Sequence, residues 1–220
     1  MKQIVRNVKI IGTGSFAPEK ILTNKDIEKL VDTDDKWIQD RLGIKERRIA
    51  SENEATSDLA SKAAIKAIEN SGLKVEDIDL IIVATTTPDR LAPSTAVIVQ
   101  DKIKAYNAVA FDIAAVCSGY LYGMSIATQF IASGVYDNVL LIGADTFSKI
   151  TDWNRRDCVF FGDGAGASVF SSGEEQEGFQ AFRLYSDGRG KWNWTIPAGG
   201  SEIPASVDSL NKGLHYFQMN

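Results

Sequence analysis

Four short, almost unbroken apolar runs constrain this chain more than any other feature: LIIVA at 80–84, FDIAAV at 111–116, VLLIGA at 139–144 and AGASVF at 165–170. Runs of this length without polar alternation read as strands covered on both faces. The stretches between them carry helical signals. Leu59, Ala60, Ala63, Ala64, Ala67 and Ile68 form one apolar face after Thr56 or Ser57 as cap, with Gly72 as the stop. Pro93 precedes a helix from about Ser94 to Ile103, and Leu121, Met124, Ser125, Ala127, Thr128 and Ile131 fall at helical spacing before Gly134. Strands joined by crossover helices predict an α/β fold with a central sheet covered on both faces.

The flanks are read with the same rules. Val8 to Gly14 predicts a first strand, whose Gly12-Thr13-Gly14 lacks the spacing of a dinucleotide fingerprint. Asn24 is placed to cap a short helix through Leu30, and Thr33 or Asp34 to cap a second that carries Trp37, Ile38 and Arg41. Beyond Ser171 the pattern loosens. Phe179 to Tyr185 and Leu214 to Met219 predict short strands around the loop PAGGSEIPAS. The chemistry-bearing part is expected over residues 1–172, and 173–220 is expected to be a connecting segment.

Cys117 stands where an apolar strand gives way to a helix. There a sulfur lies near unpaired N–H groups and the positive end of a helix dipole, both of which favour thiolate. A helix terminus contributes up to about 2 kcal/mol and one pKa unit is about 1.4 kcal/mol, enough to bring a thiol from about 8.5 towards 7. The competing reading is structural, because free cysteine is among the most buried residue types.

Composition closes several other routes. The 220 residues are 44% hydrophobic and 24% charged, which fits a folded globular chain rather than a disordered one. A net charge of -5 argues against general nucleic-acid binding. No stretch approaches the apolar length of a membrane span, and MKQIVRNVKI lacks the pattern of a secretory leader, so a cytoplasmic location is expected. Cys117 and Cys158 make no scaffold of disulfides, and no Cys or His spacing marks a metal.

Three other signals have plain alternatives. FGDGAGA at 161–167 lacks the Lys-Ser/Thr of a phosphate loop, and its glycines are read as tight turns. Arg41, Lys45, Arg47 and Arg48 form a basic run that alone reads as a solvated face, and beside Trp37 reads as an aromatic and arginine clamp for a nucleotide. His215 is the only histidine and has no evident partner, so a Cys-His hydrolase gains little support.

Taken in order, IIGTGSFAPEK at 10–20, TNKDIEKLVDTDDKWIQDRLGIKERRI at 23–49, FDIAAVCSGY at 111–120, FGDGAGA at 161–167 and IPAGGS at 196–201 strongly resemble beta-ketoacyl-acyl-carrier-protein synthase III. The resemblance implies a thiolase-like fold, layered α/β with a central mixed sheet covered by helices, of which this chain matches the N-terminal half. It implies an acyltransferase that condenses an acyl-CoA primer with malonyl-acyl-carrier-protein and releases carbon dioxide, starting fatty-acid synthesis. Cys117 matches the nucleophile. Trp37 matches the residue stacked on the CoA adenine, Arg41 a phosphate contact, Thr33 a further CoA contact, and Arg156, with Arg155 as the alternative, the arginine that closes the clamp.

Phe161, Trp194 and Met219 match apolar positions around the thiol and the acyl pocket. Ala92 stands where some relatives carry a bulky gate supplied across the dimer interface, which implies room for primers longer than acetyl. The resemblance further implies a homodimer, no cofactor beyond acyl-CoA as substrate, and no nucleic-acid or membrane partner. The family's decarboxylating histidine and asparagine have no match before Asn220, and His215 lies outside their motif. The chain is therefore expected to be the nucleophile part of a longer enzyme. A related acyl-transfer enzyme of a specialised pathway and a non-catalytic CoA-binding half are the alternatives.

Overall fold

In the computed structural model residues 6–174 and 177–219 are described; the first five residues of the stretch read as leaderless, and Asn220, lie outside them. The elements in chain order are β1 (Asn7–Phe16), β2 (Lys20–Thr23), α1 (Asn24–Ile27), α2 (Asp35–Leu42), β3 (Glu46–Ile49), α3 (Thr56–Ser71) and β4 (Leu80–Ala84). There follow α4 (Thr95–Ile103), β5 (Val109–Ile113), α5 (Gly119–Ala132), β6 (Asn138–Thr146), β7 (Asp163–Gly173), β8 (Trp194–Thr195), α6 (Val207–Asn211) and β9 (Gln218–Met219). The chain forms two compact units, interleaved in sequence. The first holds the chain through Pro18 with Ala50–Asp145 and Asp163–Leu184; the second holds Glu19–Ile49, Thr146–Gly162 and the chain from Tyr185.

The first unit is a five-stranded sheet in the order β1-β7-β6-β4-β5. β4 runs parallel to both β5 and β6, whereas β1 pairs antiparallel with β7, giving the mixed sheet expected of the sequence. The period of two in a strand explains why the apolar runs have no polar gaps. Ile81 and Val83 of β4, with Leu140 and Ile142 of β6, face the alanine stripe of α3 and the apolar side of α4. Leu80, Ile82, Val139 and Leu141 face Ala127 and Ile131 of α5 on the other side. Both faces of the central strands are thus dry, and the sheet lies between two helical layers.

Several expectations are corrected. FDIAAV is not a doubly covered strand: β5 ends at Ile113 and lies at the sheet edge, paired among the described residues with β4 alone, so Val109 is 49% exposed and the rest half-buried. The glycines of FGDGAGA do not make turns. Gly164 and Gly166 lie within β7, where Gly166 pairs with Ser15. Phe179 to Tyr185 forms no strand. Phe179 donates one backbone bond to Val8 O at 2.9 Å and then stacks on Phe170 and Phe182, so ring packing replaces strand pairing. Helix α3 is not capped by Thr56 or Ser57; Asp58 accepts from Ala55 N at 2.9 Å, and Asp89 from Ser57 N at 2.8 Å.

The second unit contains two small sheets. β2 pairs antiparallel with β3, and β8 with β9. Of the strand expected over Leu214 to Met219, only Gln218–Met219 forms. Thr23 rather than Asn24 caps α1, in a reciprocal pair with Asp26. Asn24 is buried and cross-links instead, donating to Asp35 at 2.7 Å and to Ile44 O at 2.8 Å. Asp34 caps α2 by accepting from Trp37 N at 2.7 Å. Among the described residues no helix is long and apolar enough to cross a membrane.

Candidate active site

Cys117 lies in a single 3-10 turn, Val116–Ser118, that leads directly into α5. The preceding residue sets its direction. Val116 has φ 46°, a left-handed conformation that is a genuine outlier for a β-branched side chain. Strain of this kind persists where the surrounding fold over-determines it, and here it turns the chain sharply from β5 into the helix. The thiol is exposed and free, so the structural reading of a small core hydrophobe does not hold for it. That role belongs to Cys158, which is fully buried and whose thiol burial pushes up to about 11.

A cavity of about 530 Å³ lies beside this turn in the first unit and reaches Val116. Leu91, Ala92, Asp112 and Ala114 are among the residues that line it. The structure places Ala92 in the wall of an open pocket next to the turn that carries Cys117. Leu91, Asp112 and Ala114 were not singled out from the sequence. An exposed leucine between Arg90 and Ala92 carries no local sign of its use.

In the second unit α2 carries Trp37 and Arg41 four residues apart, hence on one face. Trp37 is half-buried against a cluster of Ile27, Ile38, Cys158 and Val159, which holds its ring while leaving part of it open. The Arg156 guanidinium lies over that ring, 4.5 Å from its centroid. Arg155 points elsewhere. It pairs with Asp157 at 2.9 Å and donates to Met219 O at 3.2 Å. Arg41 is exposed, and the buried hydroxyl of Thr33 just before the helix has no hydrogen-bond partner among the described residues.

The basic run is not one solvated face. Arg47 is 4% exposed and donates to Val159 O through Nε at 3.0 Å and to Asn24 Oδ1 through Nη1; burial, slightly offset by Cys158, lowers its pKa. Arg48 pairs with Glu46 at 3.0 Å. Only Arg41 and Lys45 of the run stand fully in solvent.

Phe161, Trp194 and Met219 come together in the second unit. Phe161 stacks on Phe147 at 4.5 Å, and Phe217 meets both edge-on, at 5.2 and 5.1 Å. Trp194 closes edge-on against Phe217 at 5.5 Å and pairs through its backbone with Met219. Phe147 and Phe217 were missed, since no spacing links residues so far apart. His215 packs on Tyr216, and its buried Nδ1 has no hydrogen-bond partner among the described residues. Among the described residues no His, Cys, Asp and Glu side chains gather as a metal site.

Residues 111–188 match the model of the family described as 3-oxoacyl-[acyl-carrier-protein (ACP)] synthase III. The chain is 56% identical over 211 residues to the beta-ketoacyl-[acyl-carrier-protein] synthase III of Caldanaerobacter subterraneus subsp. tengcongensis, covering 96% of this chain and 64% of that protein. It is 52% identical to the synthase of Thiobacillus denitrificans, covering 96% of this chain and 68% of the relative. Its backbone is similar to the crystal structure of the Aquifex aeolicus synthase, with a TM-score of 0.86, 44% identity, and 97% and 65% of the two chains covered. The chain thus spans a little under two thirds, 64%, of the length of the first of these relatives. This likeness carries the thiolase-like α/β fold. The identity extends over nearly the whole chain, and on it the chain belongs to the beta-ketoacyl-[acyl-carrier-protein] synthase III family.

Proposed function

We propose that this protein is an acyltransferase that starts fatty-acid synthesis, with Cys117 as its nucleophile. The observation that carries the reading is the exposed thiol in a strained turn at the head of α5, beside an open cavity. The relatives' names support the product class, a beta-ketoacyl group on an acyl carrier protein. In the first half-reaction Cys117 Sγ attacks the carbonyl carbon of an acyl-CoA. The new C–S bond replaces the bond to CoA, which leaves as its thiol with the proton that Cys117 gave up. One thioester becomes another, so the step is close to isoenergetic, and covalent catalysis divides a hard condensation into two easier steps.

In the second half-reaction malonyl-acyl-carrier-protein loses carbon dioxide. The carbanion so formed attacks the acyl carbon on Cys117, and the cysteine leaves as thiolate. No cofactor is part of this reading; acyl-CoA enters as a substrate. Trp37, Arg41 and Arg156 are the groups assigned to CoA, a half-buried aromatic face with one guanidinium over it and a second on the same helix. An adenine stacks on such a face and its phosphates meet the cations. Thr33 offers an unused hydroxyl beside them. Phe161, Trp194 and Met219 are assigned to apolar contacts, and Ala92 to a roomy acyl pocket that takes primers longer than acetyl. A cytoplasmic homodimer is part of the same reading.

The test is the product. The full chain is given acyl-CoA and malonyl-acyl-carrier-protein labelled in the free carboxyl carbon. Release of CoA with acylation of Cys117, both lost in Cys117→Ala, is the expected result for this chain, and labelled carbon dioxide with a 3-oxoacyl-acyl-carrier-protein is expected once the family's histidine and asparagine are supplied. Release of CoA without carbon dioxide even then would replace condensation with simple acyl transfer.

A further inference from the structure

Arg47 of β3 is a cation almost out of reach of water, 4% exposed, in the second unit with Trp37 and Arg156. Its guanidinium divides between two acceptors. Nε, at 3.0 Å, and Nη2 both donate to Val159 O, in the 3-10 turn Arg156–Phe160, and Nη1 donates to Asn24 Oδ1. A planar fork of this kind sets the direction as well as the distance of what it holds. Asn24 passes the hold on to α2. Its amide nitrogen donates to Asp35 Oδ1 at 2.7 Å and to Ile44 O at 2.8 Å, one partner at the start of the helix and one just past its end. With Arg47 on its oxygen, the Asn24 amide has both hydrogens and its carbonyl engaged.

One buried cation therefore joins the turn that carries Arg156 to the helix that carries Trp37 and Arg41. Apolar packing joins the same parts, since Ile27 and Ile38 lie in one cluster with Cys158 and Val159. Such contacts are non-directional, and they hold two surfaces together without fixing how one is set along the other. The setting matters for a ligand. The Arg156 guanidinium lies 4.5 Å from the Trp37 ring centroid, too close for a base to stand between them. A stacked base needs two carbon separations of about 3.5 Å each, about 7 Å in all. The Arg156 side chain must swing out and close again, and it closes in register with the ring only where the backbone beneath it keeps its place.

We propose that Arg47 is the positioning residue of the CoA clamp, setting Arg156 against Trp37 and thereby the affinity for the adenine end of acyl-CoA. This role rests on the function proposed above and deepens it by naming the group that builds its nucleotide subsite. Arg47 is buried and meets no substrate. It acts through Val159 O on one side and Asn24 on the other. With the guanidinium removed, a buried carbonyl and a buried amide oxygen lose their donors, and the two jaws keep their apolar contact but not their register.

The experiment compares wild type, Arg47→Met and Arg47→Lys in the full chain, each with and without Arg156→Ala. CoA affinity is read by titration calorimetry. Acylation of Cys117 is followed by intact mass over time with acetyl-CoA and with S-acetyl pantetheine, which lacks the adenine nucleotide. Arg47→Met, which fills the space without the charge, is expected to weaken CoA binding by about tenfold and to raise half-saturation by acetyl-CoA by a similar factor, more than the maximal rate falls. Arg47→Lys keeps the charge without the fork and is expected between the two. In the Arg156→Ala background Arg47→Met should cost less than about threefold, because the two residues act as one unit. S-acetyl pantetheine separates positioning from general damage, and its half-saturation should change by less than about twofold. Unchanged CoA affinity in folded Arg47→Met, a full loss retained in the Arg156→Ala background, or an equal loss with S-acetyl pantetheine each overturns the inference. If Arg47→Met does not fold, Arg47→Lys decides by the same three criteria. No acylation of wild type by either thioester overturns the parent reading and this inference with it, whereas acylation with unchanged CoA affinity in the variants overturns this inference alone.

Discussion

Arg155 and Arg156 are neighbours in sequence and opposite in use. Arg155 is spent within the protein, on the Asp157 carboxylate and the Met219 carbonyl, whereas Arg156 keeps its guanidinium over the Trp37 ring. The sequence matches Arg156, with Arg155 as the alternative because the segment TDWNRRDC is one residue short of the family pattern. Geometry supports Arg156 as the CoA contact. Cation–π contacts contribute about 0.5–2 kcal/mol, so Arg156→Ala is expected to weaken CoA binding roughly 2- to 30-fold by titration calorimetry. Arg155→Ala, which breaks a partly exposed ion pair, should leave CoA affinity within about twofold. The opposite ranking would move the CoA contact to Arg155.

At the scale of elements, the placement of Cys117 depends on a sheet packed closely against helices on both sides. The tightest approach is between β1 and α3. A β-carbon at Gly14 would meet the Ala63 carbonyl and come within 2.5 Å of Ala67 N, and one at Gly12 within 2.6 Å of Ser71 N. These obstacles are backbone atoms, which cannot rotate away. Gly14→Ala is therefore expected to destabilise by about 1–3 kcal/mol, a fall of roughly 2–12 °C in the thermal midpoint. Gly166 on β7 is the control. A β-carbon there has nothing within 4 Å, and Gly166→Ala should stay within about 0.5 kcal/mol of wild type. Equal effects at both positions would contradict this account of the packing.

Taken as a whole molecule, the fold was legible wherever burial was complete. LIIVA and VLLIGA are read correctly because both faces of β4 and β6 are dry and the apolar run has no gaps. FDIAAV is a similar run, broken only by Asp112, but it lies at an edge, and an apolar run does not record the number of neighbours a strand has. Glycines in β7 look like turns because glycine's freedom is visible in sequence while a partner such as Ser15 is not. The junction that carries Cys117 and the helix that carries Trp37 were legible from local pattern and capping residues, and the roles proposed for them come from the resemblance. Phe147 and Phe217 were not legible, since each packs on residues far along the chain.

Acid stability is a property of the same whole. Lys29 and then Thr23 pull down the Asp26 pKa, and Asn24 and Gln39 that of Asp35. Lys62 and Ser51 N lower that of Glu54; at Asp58 burial works the other way and is overcome by Lys102 and Ala55 N. Each folded-state value lies below its unfolded value of 3.8 for aspartate or 4.5 for glutamate. The stability they contribute is therefore present above that range and lost as pH falls through it. The denaturation midpoint in urea should fall steadily from about pH 5 to about pH 3; a flat profile would mean these contacts contribute nothing.

The central claim is that Cys117 carries the acyl group. Intact mass of the full chain after exposure to acetyl-CoA and longer acyl-CoAs tests it directly, with peptide mapping and a Cys117→Ala control. The account predicts a mass gain of one acyl group, located on Cys117, absent from the control and absent from buried Cys158. A folded wild-type chain that gains no acyl group, or gains it equally in Cys117→Ala, would contradict it.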